Sequence, residues 1–408
     1  MSITIRGRLL DTISFIAPFR ERARRFRAAS PEPKQPGAMN TLADRIHPAW
    51  LDLVVESRRP ESETSVTYRL VPSDPATRIP PFRAGQYIAV RLRIGNSTVS
   101  RPYSISSSPD EALEGNYYEI TVKTVQPGFC APYILEHWKD GAAARCSSPA
   151  GTFYHEPLRD GGHVVCLAGG SGITPFRSII LDSLAHDTTT FTLFHGVSCP
   201  DELLFIDEFE DLAARYPGRL RIVPVCADPD DSWDGARGLL SADILRANIP
   251  SHGTAAYFIS GPDAMKDYLQ AQMADWALKP RQIRQERSAG AVDPSAFEGY
   301  PSSPPASSFT LTVRIDREIV SVHAAAGETV LTALERAGLN PPSLCRSGEC
   351  GWCRSRLDSG TCFTPPGGSG VRAADAAAGH FHPCRSYPLS DIVIEMPRNP
   401  EQDKEHAV

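Results

Sequence analysis

The chain has 408 residues, which is enough for two to four domains of ordinary size. Hydrophobic residues make up 41% of it and charged residues 22%, a composition typical of soluble globular proteins. It contains no run of eighteen apolar residues, so an integral membrane protein is not expected. The net charge of −6 provides no basic field for a nucleic acid, and no nucleic-acid partner is expected either.

Residues 1–45 form a predicted N-terminal extension. Apolar residues recur at helical spacing from Ile5 to Phe19, and five arginines follow between Arg20 and Arg27. The string SPEPKQPG then breaks the pattern. We expect this basic amphipathic helix to pack on the chain itself or on a partner, with peripheral membrane contact as the alternative.

Two domains are predicted between residues 46 and 287. Residues 46–157 alternate β-rich runs such as YIAVRLRI with Gly, Pro and Ser turns, which is typical of an antiparallel β-barrel. Residues 158–287 alternate short apolar strands, such as HVVCLA and FTLFHG, with helical segments. That alternation predicts an α/β domain with a parallel sheet.

A third domain is predicted at residues 309–408, after a linker at 288–308. The linker is rich in Ser, Pro, Ala and Gly and has no periodic apolar face. Beyond it, FTLTVRI alternates as a strand, and a helix is predicted from Thr329 to Ala337. The string DIVIEM is expected to close a small sheet as the last strand.

The string RPYS, residues 101–104, stands at the end of an alternating strand. An arginine for a phosphate, an aromatic ring for a flat ring and a hydroxyl for a ring nitrogen would together suit a flavin. For these four residues alone, an edge strand that contains a proline is the simpler interpretation.

A glycine-rich loop, AGGSGITP at residues 168–175, follows the apolar strand VVCLA and opens a helix in which Pro175 suits the first turn. Gly169, Gly170 and Gly172 would let the backbone approach a pyrophosphate, which the amide hydrogens of the helix N-terminus would bind. A tight turn is the alternative for such a loop taken alone.

Four cysteines have the spacing C-x4-C-x2-C followed, 31 residues later, by one more, which is the plant-type pattern for a [2Fe-2S] cluster. A zinc site is the alternative because His380 and His382 stand nearby, but the four-residue first gap argues against it. Gly348 and Gly351 would supply the positive φ that such a loop needs. The predicted ligands are Cys345, Cys350, Cys353 and Cys384.

The other six cysteines show no ligand-like spacing, so we expect them to be small thiols in a reducing, cytoplasmic setting. They are Cys130, Cys146, Cys166, Cys199, Cys226 and Cys362.

These motifs, in this order, resemble the ferredoxin-NADP reductase-like family, and within it the phthalate dioxygenase reductase and the phenol- or phenylacetyl-type reductases with a C-terminal plant-type ferredoxin domain. The resemblance covers residues 46 to 397. It implies a flavin-binding barrel, an NAD-binding α/β domain and a β-grasp ferredoxin domain. Arg101 would contact the flavin phosphate, Tyr103 the isoalloxazine ring and Ser104 the N5 region.

The resemblance also implies the remaining site residues. The candidate catalytic residues are Ser104, Ser260 and Glu286. The other candidate cofactor-binding residues are Pro102, Gly128, Gly151, Gly169, Gly170, Gly172, Ile173, Thr174, Pro175, Gly261 and Pro262.

Three departures from the family pattern stand out. The G-x-x-S string appears as Gly128 to Ala131, so a hydroxyl contact to the flavin pyrophosphate is missing. Ser260 replaces the cysteine of Cys-Gly-Pro and supplies a hydrogen bond without the soft thiol. Ser288 replaces the aromatic residue that shields the flavin face. We therefore expect Tyr300, or a residue of the ferredoxin domain, to cover the ring.

The function implied is electron transfer from NADH through FAD to a [2Fe-2S] cluster and on to a protein acceptor, such as an oxygenase or other metalloenzyme. NADH gives two electrons and the cluster takes one, so a flavin must stand between them. FMN remains the alternative to FAD. Rival functions are a free-standing flavin, quinone or small-molecule reductase, and a redox-sensing scaffold. Partner contact is expected at the charged residues of the cluster loop, Arg346, Glu349, Arg354 and Arg356.

NADH is predicted to be preferred to NADPH. Recognition of a 2′-phosphate usually needs an Arg or Lys after the second strand, but the residues after FTLFHG include Asp201 and Glu202 and no base. Arg237, in the loop DSWDGARG, is the alternative phosphate ligand. We expect kcat/KM to be higher for NADH than for NADPH in parallel steady-state assays. A clear preference for NADPH would contradict the charge argument.

Overall fold

The computed structural model describes residues 18, 20–25, 27–28, 37–124, 128–249, 253–287, 293–365 and 371–399. The chain divides into two compact units, Met1–His47 and Pro48–Val408. In the part of the chain that is described, no helix combines the length and the apolarity that crossing a bilayer requires.

The first unit contains helix α1, Ala38–Ile46. Before it, Glu21 accepts hydrogen bonds from the neighbouring side chains of Arg24 and Arg25 in an exposed helical segment. The apolar positions of the predicted amphipathic helix, from Ile5 to Phe19, lie outside the described residues. Membrane contact through that helix therefore stays a prediction.

Antiparallel strands form the first domain of the second unit, and their bounds are β1 Trp50–Ser62, β2 Ser65–Pro72, β3 Tyr87–Ile94, β4 Ser97–Ser104, β5 Tyr118–Lys123 and β6 Ala143–Ser147. They are ordered β4-β3-β6-β1-β2-β5. A bridge between Ile105 and Ile120 links the two ends of the sheet and closes it on itself. Inward-facing side chains such as Leu53, Tyr68 and Ile88 fill its core. The predicted antiparallel barrel is confirmed, with helices α2 Pro109–Gly115 and α3 Cys130–His137 beside it.

The second domain is a parallel sheet with helices on both faces, and its strands are β7 His163–Gly169, β8 Thr190–Val197, β9 Leu220–Cys226, β10 Ala236–Arg237, β11 Ala256–Ser260 and β12 Ile283–Gln285. Its helices are α4 Pro157–Asp160, α5 Thr174–His186, α6 Ile206–Arg215, α7 Ala242–Asn248 and α8 Asp263–Gln272. The order β10-β9-β8-β7-β11-β12 reverses direction between β7 and β11. In open parallel sheets, ligands bind at the carboxyl ends of the strands beside such a reversal.

The third domain contains a mixed five-stranded sheet and a small two-stranded sheet, which confirms the predicted ferredoxin-type domain. Its strands are β13 Ser308–Ile315, β14 Glu318–Ala325, β15 Ser355–Ser359, β16 Cys362–Phe363, β17 His380–Phe381, β18 Tyr387–Pro388 and β19 Ile392–Glu395, and the small sheet is β16-β18. The five-stranded sheet has the order β14-β13-β19-β15-β17. The last strand, β19, pairs parallel with β13. The helices are α9 Val330–Arg336, capped by the Thr329 side chain, and α10 Ala373–Ala377.

The second half of the predicted linker packs on the third domain. Pro294 lies against Gly327, Phe297 lies under the guanidinium of Arg385 and the ring of Tyr300 packs edge-on against Phe363. These proline and aromatic side chains pack on the domain although the segment has no apolar periodicity of the kind that marks a helix or a strand.

Arg177 joins the barrel to the parallel sheet. Its guanidinium donates two hydrogen bonds to Glu208, at 2.6 and 2.7 Å, and one to the Ser106 carbonyl at 2.8 Å. Glu111 of the barrel lies 3.3 Å away. Burial alone would lower the pKa of Arg177, but Glu208 and the other carboxylates raise it overall. The charge is therefore fixed at the domain boundary.

Replacing Arg177 by Ala should destabilise the chain, because it leaves several carboxylates together without their cation. The loss of one partner from a fully buried pair costs about 3–5 kcal/mol, and about 2–3 kcal/mol is expected here because the carboxylates are partly exposed. The measurement is the apparent Tm by circular dichroism. The exposed Arg215→Ala on α6 is the control. Equal melting of both variants would show that the network contributes no stability.

Candidate active site

A cavity of 920 Å³ lies where the three domains of the second unit meet. The barrel contributes Tyr87, Pro102, Tyr103, Ser104 and Gly151 to its lining. The parallel-sheet domain contributes Gly169, Gly170, Gly172, Thr174, Ser260, Gly261, Pro262 and Glu286. The third domain contributes Cys345, Ser347 and Glu349. Predicted flavin, nicotinamide and cluster residues therefore share one space.

The carboxylate of Glu286 contacts the other two candidate catalytic residues, Ser104 and Ser260. Ser104, at the end of β4, donates a hydrogen bond of 2.5 Å to one carboxylate oxygen. Ser260, at the end of β11, donates one of 2.5 Å to the other oxygen. Hydrogen bonds to a charged acceptor are short and strong, so Glu286 fixes both hydroxyls relative to each other.

The glycine-rich loop continues β7 as a single turn of 3-10 helix, Gly170–Ile173, and then enters α5. A Cβ at Gly172 would lie 2.3 Å from the Ser260 carbonyl oxygen, and one at Gly169 would lie 2.5 Å from the Met265 sulfur. The close approach of the β7 and β11 loops thus requires a glycine at Gly172, whereas the neighbour of Gly169 is the far end of a flexible side chain that can move. A Cβ at Gly170 would have more room, because its nearest atom, Lys123 Nζ, would lie 3.5 Å away. The φ of Gly170 is 52°.

Four predicted cofactor-binding residues do not line the cavity. Ile173 and Pro175 are buried in the core, where they position the loop and the first turn of α5. Gly128 is exposed just before α3, and Arg101 points toward the third domain. Contact of these four residues with a cofactor stays a prediction.

Three features in or beside the cavity have no motif in the sequence. His195 on β8 bonds through Nε2 to the Gly170 carbonyl at 3.0 Å, and burial lowers its pKa to about 4. Lys123 pairs with Glu202 at 2.9 Å. Burial raises the pKa of Tyr87, and the nearby Cys345 raises it further, so this phenol lies beside the cluster loop. All three depend on contacts between distant segments.

The four predicted cluster cysteines form two pairs. The sulfurs of Cys353 and Cys384 lie 3.3 Å apart. Cys345 accepts hydrogen bonds from the Ser347 and Cys350 amides at 3.4 Å each, and the Cys350 side chain and these amides hold its pKa well below the usual range. Inward amides and paired sulfurs fit a centre in which each of two irons takes two thiolates.

A single zinc ion fits the loop less well. Among the residues that the structure describes, no three His, Cys, Asp or Glu side chains converge to hold one metal ion. Nδ1 of His382 is instead engaged by the Gly348 carbonyl at 2.7 Å. Gly348 and Gly351 have φ of 82° and 75°, the conformation that folds the loop around its sulfurs.

Tyr300 does not cover the flavin face, and that expectation is wrong. Its ring packs against Phe363 and Tyr387, away from the cavity lining. The other expectation, a ferredoxin-domain residue, agrees with the lining by Cys345 and Glu349. An ion pair of 2.7 Å between Arg287 and Glu349 holds the cluster loop beside the nucleotide domain.

Arg237 is engaged by its own loop. Its guanidinium donates to the carbonyls of Asp230 and Trp233 at 3.2 and 3.0 Å. Both contacts are donated by Nη2 alone, and the preference for NADH stays a prediction.

Three family models match the chain. An oxidoreductase FAD-binding domain matches residues 52–155, an oxidoreductase NAD-binding domain matches 166–271 and a 2Fe-2S iron-sulfur cluster binding domain matches 313–389. The fold and the cavity therefore define a flavin- and NAD-dependent iron-sulfur reductase. The chain belongs to the ferredoxin-NADP reductase-like oxidoreductases with a C-terminal 2Fe-2S domain, as its motifs predicted, and its cofactors are FAD, NAD and a [2Fe-2S] cluster.

Individual relatives span most of the chain. The glycine betaine monooxygenase reductase subunit of Pseudomonas aeruginosa strain UCBPP-PA14 is 28% identical over 331 residues, which are 77% of this chain and 87% of that protein. A 1,2-phenylacetyl-CoA epoxidase subunit from Escherichia coli K12 is 27% identical over 356 residues, 84% of this chain and 97% of its own. The structure of phthalate dioxygenase reductase shares the fold, with a TM-score of 0.60 at 24% identity, covering 85% of this chain and 98% of that one.

Replacing Glu286 by Ala should slow flavin reduction by NADH at least about tenfold, because both serine hydroxyls lose a charged acceptor worth about 1.5–3 kcal/mol each. Glu286→Gln keeps one carbonyl oxygen and should fall between. The measurement is flavin bleaching at saturating NADH in a stopped-flow instrument. The exposed Glu210→Ala is the control. An unchanged rate in a fully flavinated Glu286→Ala protein would remove Glu286 from the reaction.

Proposed function

We propose that this chain is the reductase component of an oxygenase system, which takes electrons from NADH and delivers them singly to an oxygenase protein. The observation that carries the proposal is the shared cavity, in which Ser104 of the flavin domain, Ser260 of the NAD domain and Cys345 of the cluster domain line one space. Bound FAD supplies the chemistry that accepts a hydride and releases electrons one at a time.

The side chains in and beside the cavity orient other groups and line the space in which the cofactors would meet. Glu286 orients the hydroxyls of Ser104 and Ser260 at the meeting point of the flavin and nicotinamide sites. The neutral imidazole of His195 holds the Gly170 carbonyl and keeps the glycine-rich loop in place. Cys345 and Glu349, from the cluster domain, line the same cavity.

An oxygenase is the acceptor that the relatives favour. The two relatives described above are named as the reductase subunit of a monooxygenase and a subunit of an epoxidase. For the docking surface, the structure changes the expectation at two of the four charged residues of the cluster loop, whereas Arg354 and Arg356 stay partly exposed. Arg346 is buried and Glu349 is paired with Arg287, whereas Trp352, between two cluster cysteines, is 39% exposed. We propose that the acceptor approaches over Trp352, and that the reaction takes place in the cytoplasm.

The Cys350→Ser variant tests whether electrons leave through the cluster. NADH-dependent reduction of cytochrome c, a one-electron protein acceptor, should be lost, while ferricyanide reduction should survive because it draws on the flavin. The matched control is Cys362→Ser, which removes another thiol of the same domain and should change neither activity.

Other outcomes would favour a rival function. If both activities persist equally in Cys350→Ser, the cluster is off the path and a free-standing flavin, quinone or small-molecule reductase is favoured. If the unaltered protein turns over slowly with every acceptor, a redox-sensing scaffold is favoured.

A further inference from the structure

Two arginines and one glutamate meet where the barrel contacts the cluster domain. Arg101 lies on β4, and α9 of the cluster domain packs against that strand. Beyond the end of α9, a Cβ at Gly338 would lie 3.3 Å from the carbonyl oxygen of Asn96, in the turn between β3 and β4. Arg346, which follows the cluster ligand Cys345, is only 8% exposed and pairs with Glu335, which is 2% exposed.

The charges of this group do not balance. Within the described residues, Arg101 has no carboxylate partner, and its guanidinium donates to the Ser100 carbonyl at 2.9 Å. Burial lowers the pKa of Arg101, and the neighbouring charge of Arg346 lowers it further. Two cations held near one anion and away from water are unfavourable unless a further anion joins them.

The first residue of α3, Cys130, lies near the same two arginines. Burial raises the pKa of Cys130, while the charges of Arg101 and Arg346 both oppose that rise. Among the described residues no side chain caps this helix end, which leaves its first amide hydrogens without a side-chain acceptor. Ala131 in the next position supplies no hydroxyl to an anion bound there.

We propose that Arg346 is a second ligand for the diphosphate of FAD, brought to the flavin site by the cluster domain in place of the hydroxyl that Ala131 lacks. The proposal rests on the proposed function, since it requires FAD in the barrel. A role for Arg101 follows from the family resemblance, whereas a role for Arg346 follows from its burial and from its pairing with Glu335 on α9, the helix that packs against β4. An arginine pair suits a diphosphate because each guanidinium can bind two oxygens.

The consequence is a linkage between flavin binding and domain docking. Arg101 belongs to the barrel and Arg346 to the cluster domain, so a diphosphate held by both favours the docked arrangement of the two domains. By reciprocity, the docked arrangement binds FAD more tightly than the separated one.

The test measures affinity in flavin-free protein that retains its cluster, with FAD and riboflavin as probes, by quenching of flavin fluorescence. Arg346→Ala should weaken FAD binding at least about tenfold, the value of a charge-assisted hydrogen bond, and leave riboflavin binding unchanged because riboflavin has no phosphate. The control is Arg336→Ala, an exposed arginine of α9 paired with Glu328. Unchanged FAD affinity, or equal weakening for both flavins, would overturn the proposal.

A second variant decides the matter if Arg346→Ala loses its cluster or does not fold. Glu335→Gln keeps an oxygen that accepts the hydrogen bond of Arg346 and removes the negative charge beside it. FAD should then bind severalfold more tightly, with riboflavin unchanged. If Arg346 serves only to pair with Glu335, FAD affinity will stay the same or fall. Failure of the unaltered protein to bind FAD would contradict the proposed function itself, whereas normal binding without these shifts would contradict only the role of Arg346.

Discussion

One carboxylate holds the site together. Glu286 accepts a hydrogen bond from Ser104 of the barrel and another from Ser260 of the parallel sheet. The next residue, Arg287, forms an ion pair with Glu349 of the cluster loop. Two consecutive residues therefore contact all three domains. Electron transfer between separate groups requires the groups to lie close together. For this purpose, the meeting of the three domains at Glu286 and Arg287 matters more than the order of the domains along the chain.

The motifs that predict the site are short and chemically specific. The cysteine spacing follows from how one loop wraps two irons, and the GGSGITP string follows from a strand that turns directly into a helix. Alternation of apolar and polar residues predicts the barrel, whose strands bury one face, and continuous apolar runs between helical segments predict the parallel sheet, whose strands bury both faces. Signals of this kind are local, so they are visible without knowing which segments meet.

Contacts between distant segments could not be predicted in the same way. Arg177 binds carboxylates from two domains, and His195 contacts a glycine carbonyl in the loop that follows the neighbouring strand, yet neither residue belongs to a motif. The position of Tyr300 in the sequence suggests a place at the flavin, but aromatic partners within the cluster domain hold its ring instead. Arg346 is charged and lies in a loop, and only the fold shows that it is buried.

The packing of Pro294, Phe297 and Tyr300 on the cluster domain determines how far that domain can travel. Six Cα-to-Cα steps separate Arg287 from Asp293 along the chain, and a fully extended chain of that length reaches roughly 20 Å. Covalent length alone thus limits how far the cluster domain can move from the nucleotide domain. An acceptor protein must therefore bring its own redox centre to the reductase, and its shape is constrained by the two larger domains beside the cluster.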